Sequence, residues 1–371
     1  MRNTRERTGL VWAAWAAVLL LACTSAGAEV RYTITDIPTF GGTESGVSAI
    51  NERGQAACGR KDSSGLWQGF MWEDGVFTEL HLNSSWNLSL PKGINEHGMV
   101  SGWANHVSAG MSAQLWNTTL GTVIDIGIPS GQVRSQGQDL NDDNVVVGYS
   151  LPQFGVDSWR AFKWTADNGI IPLANFGGEH SYAMDINNSG QIAGMGETAS
   201  GARRACLWDP DGTPHNIGGL GGETWAWGIN EAAEIVGRSE LDNGDEHAFF
   251  YEPVGGMQDL GTLGGAYSIA VRLNNLGHVV GNAEIDNGDR HAFLYKDGVM
   301  TDLNDLIDPA SGWVLLKADD INDSGQIVGC GIIGGEQHGV LLTPIPEPAT
   351  VGLVVLGSSL AALLRRRRRK R

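Results

Sequence analysis

Three histidines, His247, His291 and His338, stand at equivalent places in repeated segments of this 371-residue chain, and imidazoles that converged could form a metal-ligand ring. Each lies in a different repeat, however, and a residue repeated at one place in a modular fold serves the packing or hydrogen bonding of its own module. The histidines are therefore assigned to structure. Two acidic turns, Leu241-Asp242-Asn243-Gly244-Asp245 and Ile285-Asp286-Asn287-Gly288-Asp289, each set two carboxylates around an Asn-Gly. Asp242, Asp245, Asp286 and Asp289 could hold Ca²⁺ with the help of backbone carbonyls, but the dense Asp-x-Asp-x-Asp-Gly spacing of strong calcium loops is missing. A hairpin turn accounts for both segments, and no other cofactor is implied. Gly-x-Ser-x-Gly, His-Glu-x-x-His, Cys-x-x-Cys and phosphate-cradling loops are all absent, as are Ser-x-Asp-x-Gly-x-x-Trp boxes. No catalytic residue is assigned.

The elements that position these groups repeat. Ile50-Asn51, Ile94-Asn95, Leu140-Asn141, Ile186-Asn187, Ile229-Asn230, Leu273-Asn274 and Ile321-Asn322 recur at Asn-to-Asn spacings of 44, 46, 46, 43, 44 and 48. Seven residues after six of these Asn comes a Gly that closes a short apolar run. Leu82-Asn83 and Leu303-Asn304 fall off the rhythm. A period in the mid-forties with strand-like content is a β-propeller signal. In the unit Ala270 to Leu303, an apolar strand meets an Asn-Asn-Leu-Gly turn, a second strand His278 to Gly281, a third strand His291 to Tyr295, an Asp297-Gly298 turn and a fourth strand Val299 to Leu303. Before the last turn stands an aromatic anchor, Trp72, Trp116, Trp164, Trp208, Tyr251 or Tyr295, replaced by Leu342 in the last unit, and its bulk suits the space between sheets.

These features predict an all-β fold, a seven-bladed β-propeller of four-stranded blades over residues 29–343. The last unit lacks a fourth strand and the first is preceded by Arg31 to Ile37, so the N-terminal strand is expected to complete the seventh blade and close the ring. Closure removes sheet edges that would otherwise template aggregation. In a propeller, carboxylates and Arg31, Arg134, Arg203, Arg204, Arg238 or Arg272 could gather around the central channel; nothing in their placement singles out a site.

The two ends are addresses. Arg2, Arg5 and Arg7 precede an apolar run from Leu10 to Ala22, and Ala26 and Ala28 supply the small residues of a cleavage site, so residues 1–28 form a signal peptide. A competing cut at Leu20-Leu21-Ala22-Cys23 would leave Cys23 as a lipidated N-terminus. Residues 344–371 form a tail. Pro346-Glu347-Pro348 leads an uncharged stretch, 349–364, and then Arg365, Arg366, Arg367, Arg368 and Arg369 with Lys370 and Arg371. The stretch is expected to be a single transmembrane helix, with the basic end held on the cytoplasmic side.

The formal charge is −17. Setting aside the three basic and one acidic residues of 1–28 and the seven basic residues of 349–371 leaves 15 basic against 41 acidic side chains. So acidic a body repels nucleic acid and suits divalent cations or basic partners. Cys58, Cys206 and Cys330 follow no disulfide spacing; a Cys58–Cys330 pair requires the first and last repeats to touch.

The tail resembles the PEP-CTERM sorting signal of envelope bacteria in its Pro-Glu-Pro-Ala-Thr start, Gly-containing stretch and Arg block. That resemblance implies processing by an exosortase after passage through the secretion machinery. The body resembles the extracellular HAF-repeat family, on His247-Ala248-Phe249 and His291-Ala292-Phe293, with Arg160-Ala161-Phe162, Arg204-Ala205-Cys206 and Ser112-Ala113-Gln114 as departures. Together they imply an exported protein of the cell envelope, surface or matrix. The expected function is non-catalytic, binding extracellular polysaccharide or surface proteins. A propeller glycan hydrolase or lyase is the rival, and a lipoprotein anchored through Cys23 is a third reading. Buried, convergent acid and Arg side chains at one mouth of the channel would mark the enzyme; exposed aromatics and open acidic loops would mark the binding protein.

Overall fold

The computed structural model describes residues 32–80, 86–106, 110–152 and 158–346. Among them the only helical segments are two 3-10 turns, Leu303–Leu306 and Pro309–Ser311; the rest is strand and turn. Residues Thr33–Thr343 form one compact unit. Cys23, Ala26, Ala28 and Arg31, together with Glu347, Pro348, the stretch 349–364 and the Arg365–Arg369 block, lie outside the described residues. No helix among the described residues is long and apolar enough to cross a membrane, so the transmembrane helix expected of the tail finds no support.

The repeat becomes a set of antiparallel sheets, each begun by an inner strand that ends on the recurring Ile or Leu. The inner strands are Glu44–Ile50, Trp86–Ile94, Arg134–Leu140, Gly177–Ile186, Gly221–Ile229, Gly264–Leu273 and Val314–Ile321. Five sheets have four strands. The Asn230 and Asn274 units join into one eight-stranded sheet through a single parallel bridge, Glu246 to Tyr267. The arrangement is propeller-like. Strand Tyr32–Ile37 pairs with Glu336–Pro344, in a sheet that continues through Ile327–Ile333 to Val314–Ile321. Thr33 Oγ1 donates to Thr343 O at 3.3 Å, and His338 Nδ1 lies 2.8 Å from Asp36 Oδ1.

Every inner strand carries a β-bulge two to four residues before its Asn. The bulge explains the glycine seven residues after the Asn, because it pushes an inner-strand carbonyl onto the second strand. A Cβ on Gly194, Gly237 or Gly281 would lie 1.9 Å from the carbonyl oxygen of Tyr182, Trp225 or Ile269, an impossible contact. At the Asp74-Gly75 and Asp297-Gly298 turns both residues have positive φ, as a two-residue hairpin between right-twisted strands requires.

Apolar clusters fill the space between sheets. Trp116 is fully buried with Val100 of its own sheet against Ala49 and Met71 of the preceding one, and Trp208 packs with Val147 in the same manner. One cluster unites Val47, Cys58 and Trp72 of the first unit with Val328 and Leu341 of the last and Ile37 of the N-terminal strand. The first and last repeats therefore touch, yet Cys58, Cys206 and Cys330 are free thiols and the contemplated Cys58–Cys330 bridge is not formed. Burial pushes the Cys58 thiol well above its ordinary range and that of Cys330 up to about 12, so both are small apolar groups here.

Candidate functional site

The recurring Asn builds one mouth of the central channel. Its Oδ1 accepts backbone N–H groups two and four residues on, as in Asn51 with Arg53 and Gln55 or Asn274 with Leu276 and His278. Its Nδ2 donates to the carbonyl of the Asn in the next unit: Asn51 to Asn95, Asn95 to Asn141, Asn141 to Asn187, Asn187 to Asn230, Asn230 to Asn274, Asn274 to Asn322 and Asn322 back to Asn51, at 3.0–3.3 Å. The cycle closes. All seven side chains are buried, so satisfying both ends of each amide avoids a desolvation cost of ~1–3 kcal/mol per group left unpaired.

A second cycle runs beside it through the following residues. The backbone N–H of Glu52 donates to the carboxylate of Glu96, and the chain passes on through Asp142, Asn188, Glu231, Asn275 and Asp323 back to Glu52. This mouth is thus ringed by carboxylates. Burial, and then the charges of Asp323 and Glu96, raise the Glu52 carboxyl above its usual range.

Deeper in the channel, the residue two before the Asn carries charge in four units: Asp139, Asp185, Arg272 and Asp320. Arg272 Nη2 lies 3.0 Å from Asp139 Oδ2 and Arg272 Nε 3.8 Å from Asp185 Oδ2, although 133 residues separate Arg272 from Asp139. Lys92, with Asp319 and Lys317 among its neighbours, belongs to the same cluster, and burial lowers its ammonium from the ordinary range. Burial pushes the Asp320 carboxyl up to about 7 despite the opposing pull of Arg272, and Asp139 is raised well above normal by burial and then by the Asp185 charge. Two of these Asp also tie neighbouring units together. Asp185 accepts from Ile186 N and, in the next unit, Ile229 N; Asp320 accepts from Ile321 N and, across the closure, Ile50 N.

A separate group of neighbouring side chains is aromatic. Tyr149, Trp159, Tyr182, Trp225 and Trp227 stand in series with ring centroids 4.9–6.4 Å apart, Trp159 stacking on Tyr182 and Trp225 on Trp227. All five are half-buried. The indole Nε1 atoms of Trp225 and Trp227 have no hydrogen-bond partner among the described residues. Trp227 also walls a cavity of about 610 Å³ that continues along Ile269, Val271 and Leu316 to Lys317.

Of the residues singled out by sequence, the histidines pair locally: His247 with Asp259 at 3.0 Å, His291 with Asp302 at 2.5 Å and His338 with Asp36 at 2.8 Å, each a third-strand imidazole against a fourth-strand carboxylate. They form no shared site. In the acidic turns, Asn243 Nδ2 donates to Asp245 Oδ2 and Asn287 Nδ2 to Asp289 Oδ2, at 2.7 and 2.9 Å. No group of three or more His, Cys, Asp or Glu side chains among the described residues could hold a metal, so Asp242, Asp245, Asp286 and Asp289 make no such cluster. Among the six arginines considered for the channel, Arg272 is central, whereas Arg203 pairs with Glu223 and Arg238 with Glu246.

Sequence reasoning missed a buried Ser six residues before the Asn. Ser45 Oγ accepts from Gly339 N and donates to Ile37 O, Ser135 does the same for Ala113 N and Gly127 O, and Ser268 for Ala248 N and Gly261 O. The signal was present as a Ser at that offset in five units, Ser45, Ser89, Ser135, Ser181 and Ser268.

Residues 344–369 match the PEP-CTERM protein-sorting motif, which supports an exported protein sorted by exosortase and associated with the bacterial cell envelope. No curated protein matches the chain. Solved structures share its fold. An oligogalacturonate lyase in complex with manganese superposes with a TM-score of 0.55 at 13% identity, covering 86% of this chain and 97% of that one. A puromycin-hydrolyzing peptidase of Mycobacterium tuberculosis gives 0.55 at 15%, covering 85% and 55%, and the acylaminoacyl peptidase of Pyrococcus horikoshii 0.50 at 11%, covering 83% and 53%. The chain spans about half the length of the two peptidases. These neighbours are a lyase and two peptidases, and at such identities the likeness is one of fold.

Proposed function

We propose that this chain is an exported, non-catalytic seven-bladed propeller of the HAF-repeat type, which binds extracellular polysaccharide at a series of neighbouring aromatic side chains. In this reading residues 1–28 direct export, 29–343 form the propeller and 344–371 hand it to an exosortase at the envelope. One observation carries the binding role: the contiguous, half-buried aromatic series Tyr149, Trp159, Tyr182, Trp225 and Trp227. Aromatic surfaces beside hydrogen-bonding groups suit sugars, whose rings present both C–H faces and hydroxyl rims. The full-length chain should bind polysaccharides on a glycan array and release no product in a hydrolase and lyase screen.

The rival, a glycan hydrolase or lyase, draws on the Arg272 cluster, because a carboxyl held protonated near pH 7, as Asp320 is, can act as a general acid. Against it, both Asp320 oxygens accept backbone N–H groups and Asp185 is engaged likewise, so these carboxylates already serve to join units. Turnover of any polysaccharide that is lost in Asp320→Asn would install the enzyme in place of the binding protein. Anchoring through a lipidated Cys23 is separable by mass spectrometry of the mature N-terminus.

A further inference from the structure

The 610 Å³ cavity beside Trp227 contains a feature that the fold does not require. Asn282 lines it, the residue as a whole is 7% exposed, and no side-chain hydrogen bond within the described residues engages its amide, which opens onto the cavity. A primary amide that opens onto a cavity in this way is available to both donate to and accept from an occupant. The units that flank it need no Asn there: the equivalent second-strand position, one past the recurring Gly, is Arg238 in one and Cys330 in the other.

The rest of the wall is consistent with one kind of occupant. The Trp227 ring stacks on Trp225, at 6.4 Å and 21°, and the Trp227 backbone carbonyl accepts from Arg272 Nη1. Ile269, Val271 and Leu316 extend the apolar floor, and Asp289 stands on the rim. Each Lys or Arg that lines the cavity already has an anion, Lys317 with Asp319 and Arg290 with Glu284 at 3.8 Å, and the His291 imidazole lies against the Asp302 carboxylate. With Asp289 added, the site offers no surplus positive charge to a carboxylated or sulfated sugar, and the acidic body repels one at long range. The volume lies in the range of small-molecule pockets.

We propose that this cavity is a subsite for a neutral sugar unit of a polysaccharide, with one ring stacked on Trp227 and its hydroxyls bonded to the amide of Asn282. This rests on the glycan-binding reading above and deepens it by naming the residue pair and the sugar class. The amide both donates and accepts, as a hydroxyl pair requires, and Asp289 provides a further acceptor at the rim.

The test uses the full-length chain, titrated calorimetrically with neutral oligosaccharides of glucan, xylan and mannan type, and with polygalacturonate and alginate as charged arms. Neutral chains should bind. Asn282→Leu should lower affinity at least tenfold while leaving the melting temperature unchanged, because the amide faces the cavity and makes no bond that holds the fold. Trp227→Ala should also lower affinity at least tenfold, and Asn243→Ala, in a turn away from the cavity, should change nothing. If glycan binds but Asn282→Leu keeps full affinity, the subsite is overturned while the glycan-binding reading stands. A melting temperature that falls along with affinity in Asn282→Leu overturns it too, by making the amide structural. Preferential binding of the acidic polymers overturns the sugar class. Binding to none of these chains overturns both readings.

Discussion

At the residue scale, one amide side chain does the work of a turn former and of an inter-unit tie. Asn187 accepts from Gln191 N at 2.9 Å and donates to Asn230 O at 3.1 Å and to Gln191 Oε1 at 3.1 Å. Asn187→Ala removes all three and strands a buried carbonyl in the neighbouring unit, so it should cost about 2–4 kcal/mol in denaturant titration. The adjacent Asn188 also bonds across units, to Asp142, but is exposed; Asn188→Ala should cost less than about 1 kcal/mol. Equal losses at the two positions would deny the buried cycle its role. Asp320 makes a pH prediction. Its carboxyl, near pH 3.9 when unfolded, is pushed up to about 7 by burial in the fold. Between those values the folded chain keeps a proton that the unfolded chain has released. The stability this group contributes is therefore fully present below about pH 4 and is lost as pH rises through 7, with a slope of at most about 1.4 kcal/mol per pH unit. Asp139, raised in the same direction, adds to the fall. Urea midpoints between pH 5 and 7 should decline in the parent and decline less steeply in Asp320→Asn.

At the element scale, the bulge in each inner strand and the glycine opposite it form one device. Gly237→Ala would place a methyl 1.9 Å from Trp225 O, and backbone cannot yield by rotating a side chain. A loss of about 3 kcal/mol or more, or failure to fold, is expected in thermal denaturation, whereas Gly244→Ala, in an open turn, pays only for its positive φ, about 1 kcal/mol. This device was legible in the chain as the Asn and its glycine seven residues on, because local geometry demands both within one hairpin. The third-strand aromatic anchors were legible for the same reason: bulk at one place in each unit implies one environment. The channel cluster was not. Asp139 and Arg272 share only their offset from an Asn, and their approach depends on how many units stand around the axis and on where the ring closes. Trp225 and Trp227 were equally opaque, since alternate aromatics on a strand look like core until the strand is known to face a channel. Asn282 gave no signal at all, because a buried amide and an exposed one have the same letter.

At the scale of the whole molecule, five separate kinds of bond cross the junction between the two ends of the array. The N-terminal strand pairs with Glu336–Pro344; Asn322 donates to Asn51 O and Asp323 N to Glu52; Asp320 accepts from Ile50 N; Gly339 N donates to Ser45; and Val328 and Leu341 pack with Val47 and Trp72. A chain exported from its N-terminus makes the closing strand first and its partner last, so the ring cannot close until residue 343 has emerged, immediately ahead of the sorting motif at 344–369. Removal of residues 32–37 should leave Glu336–Pro344 as an open edge, available for pairing with other chains. The shortened protein should melt at lower temperature and scatter light at concentrations where the parent stays clear. A synthetic peptide of residues 29–40, added during refolding, should restore both properties by supplying the missing strand. A deletion variant that melts like the parent would mean that the junction is ornamental and that each sheet stands alone. Loss of stability without rescue by the peptide would place the strand's contribution in tethering rather than pairing.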